Sequence, residues 1–432
     1  MATNTGLSRS GTPAGAVPDR LTHAVAAPAA AISESVAQAY AGSAHLRARL
    51  AAAGITQAEV RAGVELSRLP FTTKADLRDT PVGDYAAVPA REICRVHASS
   101  GTTGRRTVVA YTRRDVDDWM EMLVRCYRYA GLGIGDRIQV AVGYGLWTAG
   151  IGFQEAAERL GATVIPTGPG NIEIQFEMAQ ELRSTALCAT SSFALLLAEL
   201  VDRRQLRPRL ALRTGIFGSE RWGEGLRRRI ESLLGVRTFD LYGMTELWGP
   251  GAGVECARHD GIHVWADYFH LEIVDPVTLR PAPAGTPGEI VVTTLTKQAT
   301  PLVRYRTGDL SHLYLQPCPC GSPYPRIGRI RGRVDDQLKI RGVIVLPTLI
   351  DQVLSEVDDA GPEYQLHVQR TADGRETATV RVEADDRRGL REELAQRLRS
   401  GFGIRFDVDV VSPGSLPRSE RKTRRVFDNR EP

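Results

Sequence analysis

Four hydroxyl-bearing residues and two glycines stand together at Ser99-Ser100-Gly101-Thr102-Thr103-Gly104, just before the apolar run Val108-Val109-Ala110-Tyr111. A loop of this composition lets backbone N–H groups and hydroxyls close around phosphate oxygens with no side chain in the way. A Walker loop requires a Lys-Ser/Thr pair after its last glycine, and Arg105-Arg106 stand there instead. On its own the stretch reads better as a flexible linker. It is followed, in order, by Tyr242-Gly243-Met244-Thr245-Glu246, Tyr305-Arg306-Thr307-Gly308-Asp309-Leu310, Gly332-Arg333-Val334-Asp335-Asp336 and, near the end, Lys422. The ordered set carries the signal.

These residues need a scaffold. At 432 residues, 42% apolar and 25% charged, the chain has the composition of a soluble globular protein with two or three domains. A net charge of +4 gives no sign of nucleic-acid binding, while local basic patches would suit anionic small molecules. No apolar run approaches bilayer length, and the Ala/Gly/Ser/Thr/Pro-rich start lacks a signal-peptide pattern. The expectation is a disordered tail over residues 1–19 and a cytoplasmic protein with no membrane partner. Cys94, Cys126 and Cys188 lie in or beside apolar segments and are expected to be buried thiols.

Between the hydroxyl-rich loop and Tyr242, short apolar runs (108–111, 138–142, 163–166, 186–190, 214–217, 238–241) alternate with stretches of helical spacing (114–128, 153–160, 174–183, 193–201, 225–234). Such alternation predicts parallel strands with crossover helices. Upstream, residues 37–53 read as one helix, and Phe71-Thr72-Thr73-Lys74 as a hydroxyl-capped helix entry. Residues 270–274, 288–295 and 301–306 read as β structure. The region from Asp335 reads as a small α+β domain, with helices at 347–357 and 388–399 and strands at 365–369, 378–382 and 405–411. The predicted architecture is therefore α/β. It has a large N-terminal domain (20–334) of α/β layers with a β-rich subdomain, and a small C-terminal domain (335–432).

The motif set resembles the adenylate-forming superfamily of acyl- and aryl-CoA ligases, luciferases and peptide-synthetase adenylation domains. Within it, the phenylacetate–CoA ligase branch is most similar, through Phe71 to Arg78, Arg95-Val96-His97-Ala98 with the loop that follows, Tyr144-Gly145-Leu146 and Ser415-Leu416-Pro417-Arg418-Ser419-Glu420. The resemblance runs from about residue 35 to the end. It implies that a carboxylate attacks the α-phosphate of ATP to give an acyl-adenylate and pyrophosphate, after which the CoA thiol displaces AMP. Catalysis of that kind rests on bringing anions together and stabilising charge.

The resemblance also implies roles. Ser99, Ser100, Gly101, Thr102, Thr103 and Gly104 would hold the β- and γ-phosphates, with Arg105 where Lys is usual. Glu246 would bind Mg²⁺, and Thr245 would contact phosphate. Tyr242, Gly243 and Met244 would border the adenine, with Tyr242 stacked on it or simply a core aromatic. Gly218, Ser219 and Glu220 match the adenine loop. Asp309 would accept from the ribose hydroxyls, and Arg333 would reach ribose or phosphate. Asp335 resembles the hinge of a mobile C-terminal lid. Lys422 would bridge the substrate carboxylate and the α-phosphate, although Arg421 replaces the usual Gly and residues 418–425 also read as a basic tail. Tyr144, Trp147, Thr148, Gly150 and Ser191, with Phe153 and Ser192, would line the aryl-acid pocket. There Trp147 stands where Phe is typical, and Ala266 and Tyr268 replace the Glu and His often found.

Some relatives use a Cys/His set like Cys256, His263, Cys318 and Cys320 for a structural metal. Three Cys and one His suit tetrahedral Zn²⁺, with His259 competing for the fourth place and a reduced thiol pair as the alternative. The expected cofactors are ATP, Mg²⁺, CoA and structural Zn²⁺. A carrier-protein thiol or an amine as acceptor, adenylation of a non-carboxylate group, a catalytically silent zinc- and nucleotide-binding regulator, and a homodimer stay open.

Overall fold

The computed structural model describes residues 29–99, 106–357, 359–371, 375–385, 388–417 and 425–430. Its centre is a sheet of eight strands. Five are parallel, ordered Thr163–Ile165, Arg137–Val140, Ala186–Thr190, Thr214–Gly218 and Arg237–Met244. Three antiparallel strands extend the last of them: Gly249–Glu255, Ile262–Val264 and Arg326–Ile327. Helices Ala149–Leu160, Ile172–Glu181, Ser191–Arg203 and Glu224–Leu234 make the crossovers. Successive side chains of a strand point to opposite faces. Ala186, Cys188 and Ile216 accordingly join one core with Trp119 and Phe153, while Leu187, Ala189 and Phe217 join a second with Phe193 and Ile230.

A separate four-stranded antiparallel sheet (Phe269–Val274, Gly288–Thr294, Tyr305–Ser311, Gly332–Arg333) pairs Asp309 with Arg333. The C-terminal region has its own core around Ile350, Tyr364, Val380 and Leu394. It is built from a four-stranded sheet (Asp407–Val411, Glu376–Ala384, Ala360–Arg370, Val426–Asp428) with helices Pro347–Ser355 and Leu390–Phe402.

Several expectations are corrected. The single helix over 37–53 is two, Ala29–Gly42 and Ala44–Ala52, because Ser43 adopts extended backbone and caps the second by accepting from the Leu46 N–H. The strand expected at 301–306 starts at Tyr305, since Pro301 lacks an N–H and Arg304 has φ +46°. Cys94 is exposed, whereas Cys126 and Cys188 are buried. A hairpin Leu338–Ile340/Val343–Val345 was not foreseen; Arg341 and Gly342, both at positive φ, form its two-residue turn. Among the described residues no helix is long and apolar enough to cross a membrane.

Candidate active site

The parallel strands end together, and their C-terminal ends open into a cleft of about 500 Å³. Ligands of open α/β sheets bind at this edge. From the strand Thr214–Gly218 the chain passes into Ser219 and Glu220, and from Arg237–Met244 into Thr245 and Glu246. Close backbone approach explains the glycines. A Cβ on Gly218 would lie 2.5 Å from the Leu241 carbonyl oxygen, and one on Gly243 would lie 2.2 Å from that of Gly249. Ser219 sits in the left-handed region at φ +68°. Ser99 borders the cleft, and its hydroxyl accepts from the Thr107 N–H at 3.0 Å, so the two ends of the hydroxyl-rich loop are joined. Ser100 to Gly104, and Lys422, lie outside the described residues.

Two carboxylates face this cleft in different ways. Asp309 is 7% exposed. Its Oδ2 accepts from the Tyr242 hydroxyl at 2.9 Å and its Oδ1 from Arg333 at 2.8 Å. Burial raises its pKa above the usual range, opposed by Arg333 and the Tyr242 hydrogen bond. Tyr242 is thus a core aromatic, 7% exposed, that also lines the cleft. Arg333 also donates to Asp335, joining the cleft to the expected hinge. Glu246 is 3% exposed, and its Oε1 has no hydrogen-bond partner among the described residues. Among the described residues its ion-pair partner is Lys74, whose Nζ lies 3.8 Å from Oε1. A buried carboxylate oxygen left unpaired costs stability unless a cation takes it. The chemistry of this donor fits Mg²⁺, which accepts one or two protein carboxylates and completes its shell with phosphate and water.

Beside the cleft lies a pocket of about 30 Å³, lined by Val142, Trp147, Thr148, Phe153, Ala189 and Pro250 and opening at Ser219 and Thr245. Trp147 is part of the wall of both spaces, so the position of its ring sets how much of the pocket is open. Other residues expected here are placed differently. Tyr144 is partly exposed, and a Cβ on Gly150 would clash with its ring at 2.6 Å. Ser191 donates to Glu220 at 3.3 Å. Ser192 borders the cleft, and its N–H also meets Glu220. Ala266 is buried, and Tyr268 packs edge-on against Trp248 with Arg125 over its ring.

Reading the sequence missed several groups at this site. Lys74 registered only as part of a capped helix entry. Asp240, Arg221 and Arg329 border the cleft from outside any motif, and Arg425, read only as the end of a basic tail, borders it as well. Burial and neighbouring Glu255 push the Asp240 pKa upward. Lys297 lies in an unremarked loop and is fully buried. Burial lowers its pKa to about 7, against the pull of Asp115 and Glu246, and in either protonation state its nitrogen keeps a hydrogen to donate.

The four metal-ligand candidates converge. One atom each from Cys256, His263, Cys318 and Cys320 lies within 4.8 Å of the others. The Cys256 and Cys318 sulfurs are 3.7 Å apart, and Cys320 Sγ is 3.4 Å from His263 Nε2. Tetrahedral Zn²⁺ with sulfurs at about 2.3 Å would place two of them roughly 3.8 Å apart. The Nδ1 of His263 lies 3.1 Å from the Tyr324 carbonyl oxygen, which leaves Nε2 as the ligand atom. Burial lowers the His263 pKa, favouring the neutral imidazole a metal requires. His259 is engaged elsewhere, 2.9 Å from Arg227 and 3.4 Å from Glu255.

Residues 18–296 match the family model of the AMP-binding enzymes, and residues 342–430 match that of the AMP-binding enzyme C-terminal domain. The phenylacetate-coenzyme A ligase of Thermus thermophilus is 41% identical over 402 residues, covering 88% of this chain and 90% of that protein. The phenylacetate-coenzyme A ligase of Pseudomonas putida is 41% identical over 396 residues, covering 89% of each. The chain belongs to the phenylacetate–CoA ligase family of adenylate-forming enzymes. As an AMP-forming acid–CoA ligase it takes ATP, an acid and CoA as substrates. Among solved structures, 2-hydroxyisobutyryl-CoA ligase in the postadenylation state with 2-HIB-AMP superposes with a TM-score of 0.84 at 29% identity, covering 93% of this chain and 88% of that one. The same ligase with 2-HIB-AMP and CoA in the thioesterification state gives 0.68 at 30% identity, covering 93% and 89%. The arrangement of this ligase is therefore nearer to the postadenylation one.

Proposed function

We propose that this ligase converts a compact aromatic acid to its aryl-adenylate and then to its CoA thioester, using the cleft at the strand ends for ATP and the adjoining apolar pocket for the acid. One observation carries the reading: Glu246, with a buried oxygen that has no hydrogen-bond partner among the described residues, and Asp309 face one cleft bordered by Ser99, while an uncharged pocket opens beside them. In the first step a substrate carboxylate oxygen bonds to the α-phosphorus as the bond to the bridging oxygen breaks, and pyrophosphate carries away the electron pair. In the second, the CoA sulfur bonds to the acyl carbon, its proton is lost, and AMP leaves. Mg²⁺, when bound, neutralises phosphate charge. Asp309 accepts from the ribose hydroxyls, Tyr242 and Ser219 border the base, and Thr245 with the hydroxyl-rich loop holds phosphate oxygens. Lys422 neutralises the approaching anions, and the C-terminal lid turns at Asp335 between the two steps.

A panel of aromatic acids, with short branched hydroxy acids beside them, tests this by ATP–pyrophosphate exchange and by AMP release with and without CoA. The expected result is exchange with a compact aromatic acid and AMP release that depends on CoA. Exchange without CoA-dependent turnover would move the acceptor to a carrier-protein thiol or an amine.

The Cys256, His263, Cys318 and Cys320 set is proposed to hold structural Zn²⁺ in a cytoplasmic protein, where thiols stay reduced. A protein carrying Cys318→Ser and Cys320→Ser is expected to lose its bound zinc on dialysis and to melt about 5–10 °C lower. Equal zinc content in the altered and unaltered proteins would refute the site.

A further inference from the structure

The turn Thr245–Leu247 that carries Glu246 has no side-chain cap of its own, and the following Trp248 sits at φ +74°. Its carbonyls are instead held from below by two buried side chains. The Lys297 Nζ donates to the Glu246 carbonyl at 3.0 Å, and the Tyr111 hydroxyl reaches the carbonyls of Trp248 at 2.8 Å and Thr245 at 3.3 Å. Lys297 is 2% exposed and, among the described residues, forms no ion pair. Its ammonium lies 4.7 Å from the centre of the Trp248 ring and 5.0 Å from that of Tyr111, faces that attract a cation. The backbone that presents it is fixed in turn. The Asp115 carboxylate accepts from the N–H groups of Gln298 at 2.7 Å and Ala299 at 2.9 Å, as well as from Thr112 at 2.8 Å. Backbone grip of this kind immobilises the turn without a hydrogen bond to the Glu246 carboxylate, whose Oε1 has no hydrogen-bond partner among the described residues.

We propose that Lys297, supported by Tyr111, is a positioning residue that fixes this turn so that Glu246 presents its carboxylate to the Mg²⁺ of bound nucleotide. The inference rests on the ATP cleft proposed above. Support for a metal-binding carboxylate acts on metal affinity more than on the rest of the ligand, since among the nucleotide's other proposed contacts only that of Thr245 passes through the turn. Lys297→Met keeps length and apolar contact while removing the donor and the charge; Tyr111→Phe removes only the hydroxyl.

The test is calorimetric titration with α,β-methylene ATP, in Mg²⁺ and in EDTA, which needs no knowledge of the acid. In the unaltered protein Mg²⁺ should tighten binding. Lys297→Met is expected to lose about tenfold of that tightening, and Tyr111→Phe about threefold, with binding in EDTA unchanged within about twofold. If Lys297→Met does not fold, Tyr111→Phe carries the test alone. Retention of the full Mg²⁺ effect, or equal weakening with and without Mg²⁺, would overturn the inference, the latter marking a general packing role. An unaltered protein that binds no nucleotide would remove the proposed cleft, and this inference with it.

Discussion

Lys422→Ala is expected to slow acyl-adenylate formation by about 10³-fold while changing thioester formation from preformed adenylate by no more than about threefold. The asymmetry follows from the charges. In the first step a carboxylate must approach a polyphosphate, and Coulomb repulsion between them in a site shielded from water is large. In the second step the acyl-adenylate has no free carboxylate, so a cation at that point has little to neutralise. Lys422 lies in a stretch whose downstream end is anchored at the cleft. Three residues on, Arg425 borders the cleft, with its guanidinium 2.9 Å from Glu363 and 3.4 Å from Asp351 and its carbonyl accepting from the Leu366 N–H. Pyrophosphate exchange measures the first step, and CoA-dependent AMP release from synthetic adenylate measures the second. Equal loss in both would count against the assignment.

Glu246→Gln should lower pyrophosphate exchange by about 10²-fold, with part of the loss recovered at high Mg²⁺. It keeps the shape of the side chain but removes the charge that a divalent cation needs. Stability separates this role from a structural one. The Glu246 oxygen is buried with Lys74 as a distant partner, so removing its charge should leave the melting temperature unchanged or slightly raised. A carboxylate that held the fold together would instead show a fall of several degrees. A variant that melts several degrees lower and exchanges normally would refute the role.

Much of the site was legible because its chemistry is local in sequence. A carboxylate just past a strand end and an Asp that follows a glycine within a strand each declare a type of ligand through residue type and neighbours, while the glycine- and hydroxyl-rich stretch 100–104 lies outside the described residues. The α/β alternation was legible for the same reason, since buried parallel strands read as short apolar runs. The residues that escaped notice act across the fold. Lys297 reaches Glu246 over 51 positions, and Thr112 and Asp115 meet the 298–299 segment more than 180 positions away. Nothing in the local spacing of Leu295-Thr296-Lys297-Gln298 marks that lysine as buried. Boundaries failed where one residue outweighed a pattern, as at Ser43, whose cap splits a helix, and at Arg341-Gly342, whose turn makes a hairpin of a segment without a strong β signal. Cys94 failed as a burial prediction because an apolar neighbourhood in sequence does not fix which way a side chain faces.

One guanidinium, that of Arg333, is shared between Asp309 in the cleft and Asp335 at the start of the C-terminal region. Sugar hydroxyls that draw on Asp309 would compete with Arg333 for the same oxygens and alter its grip on Asp335. News of an occupied cleft would thus reach the proposed pivot through a single side chain, with no relay of intervening parts.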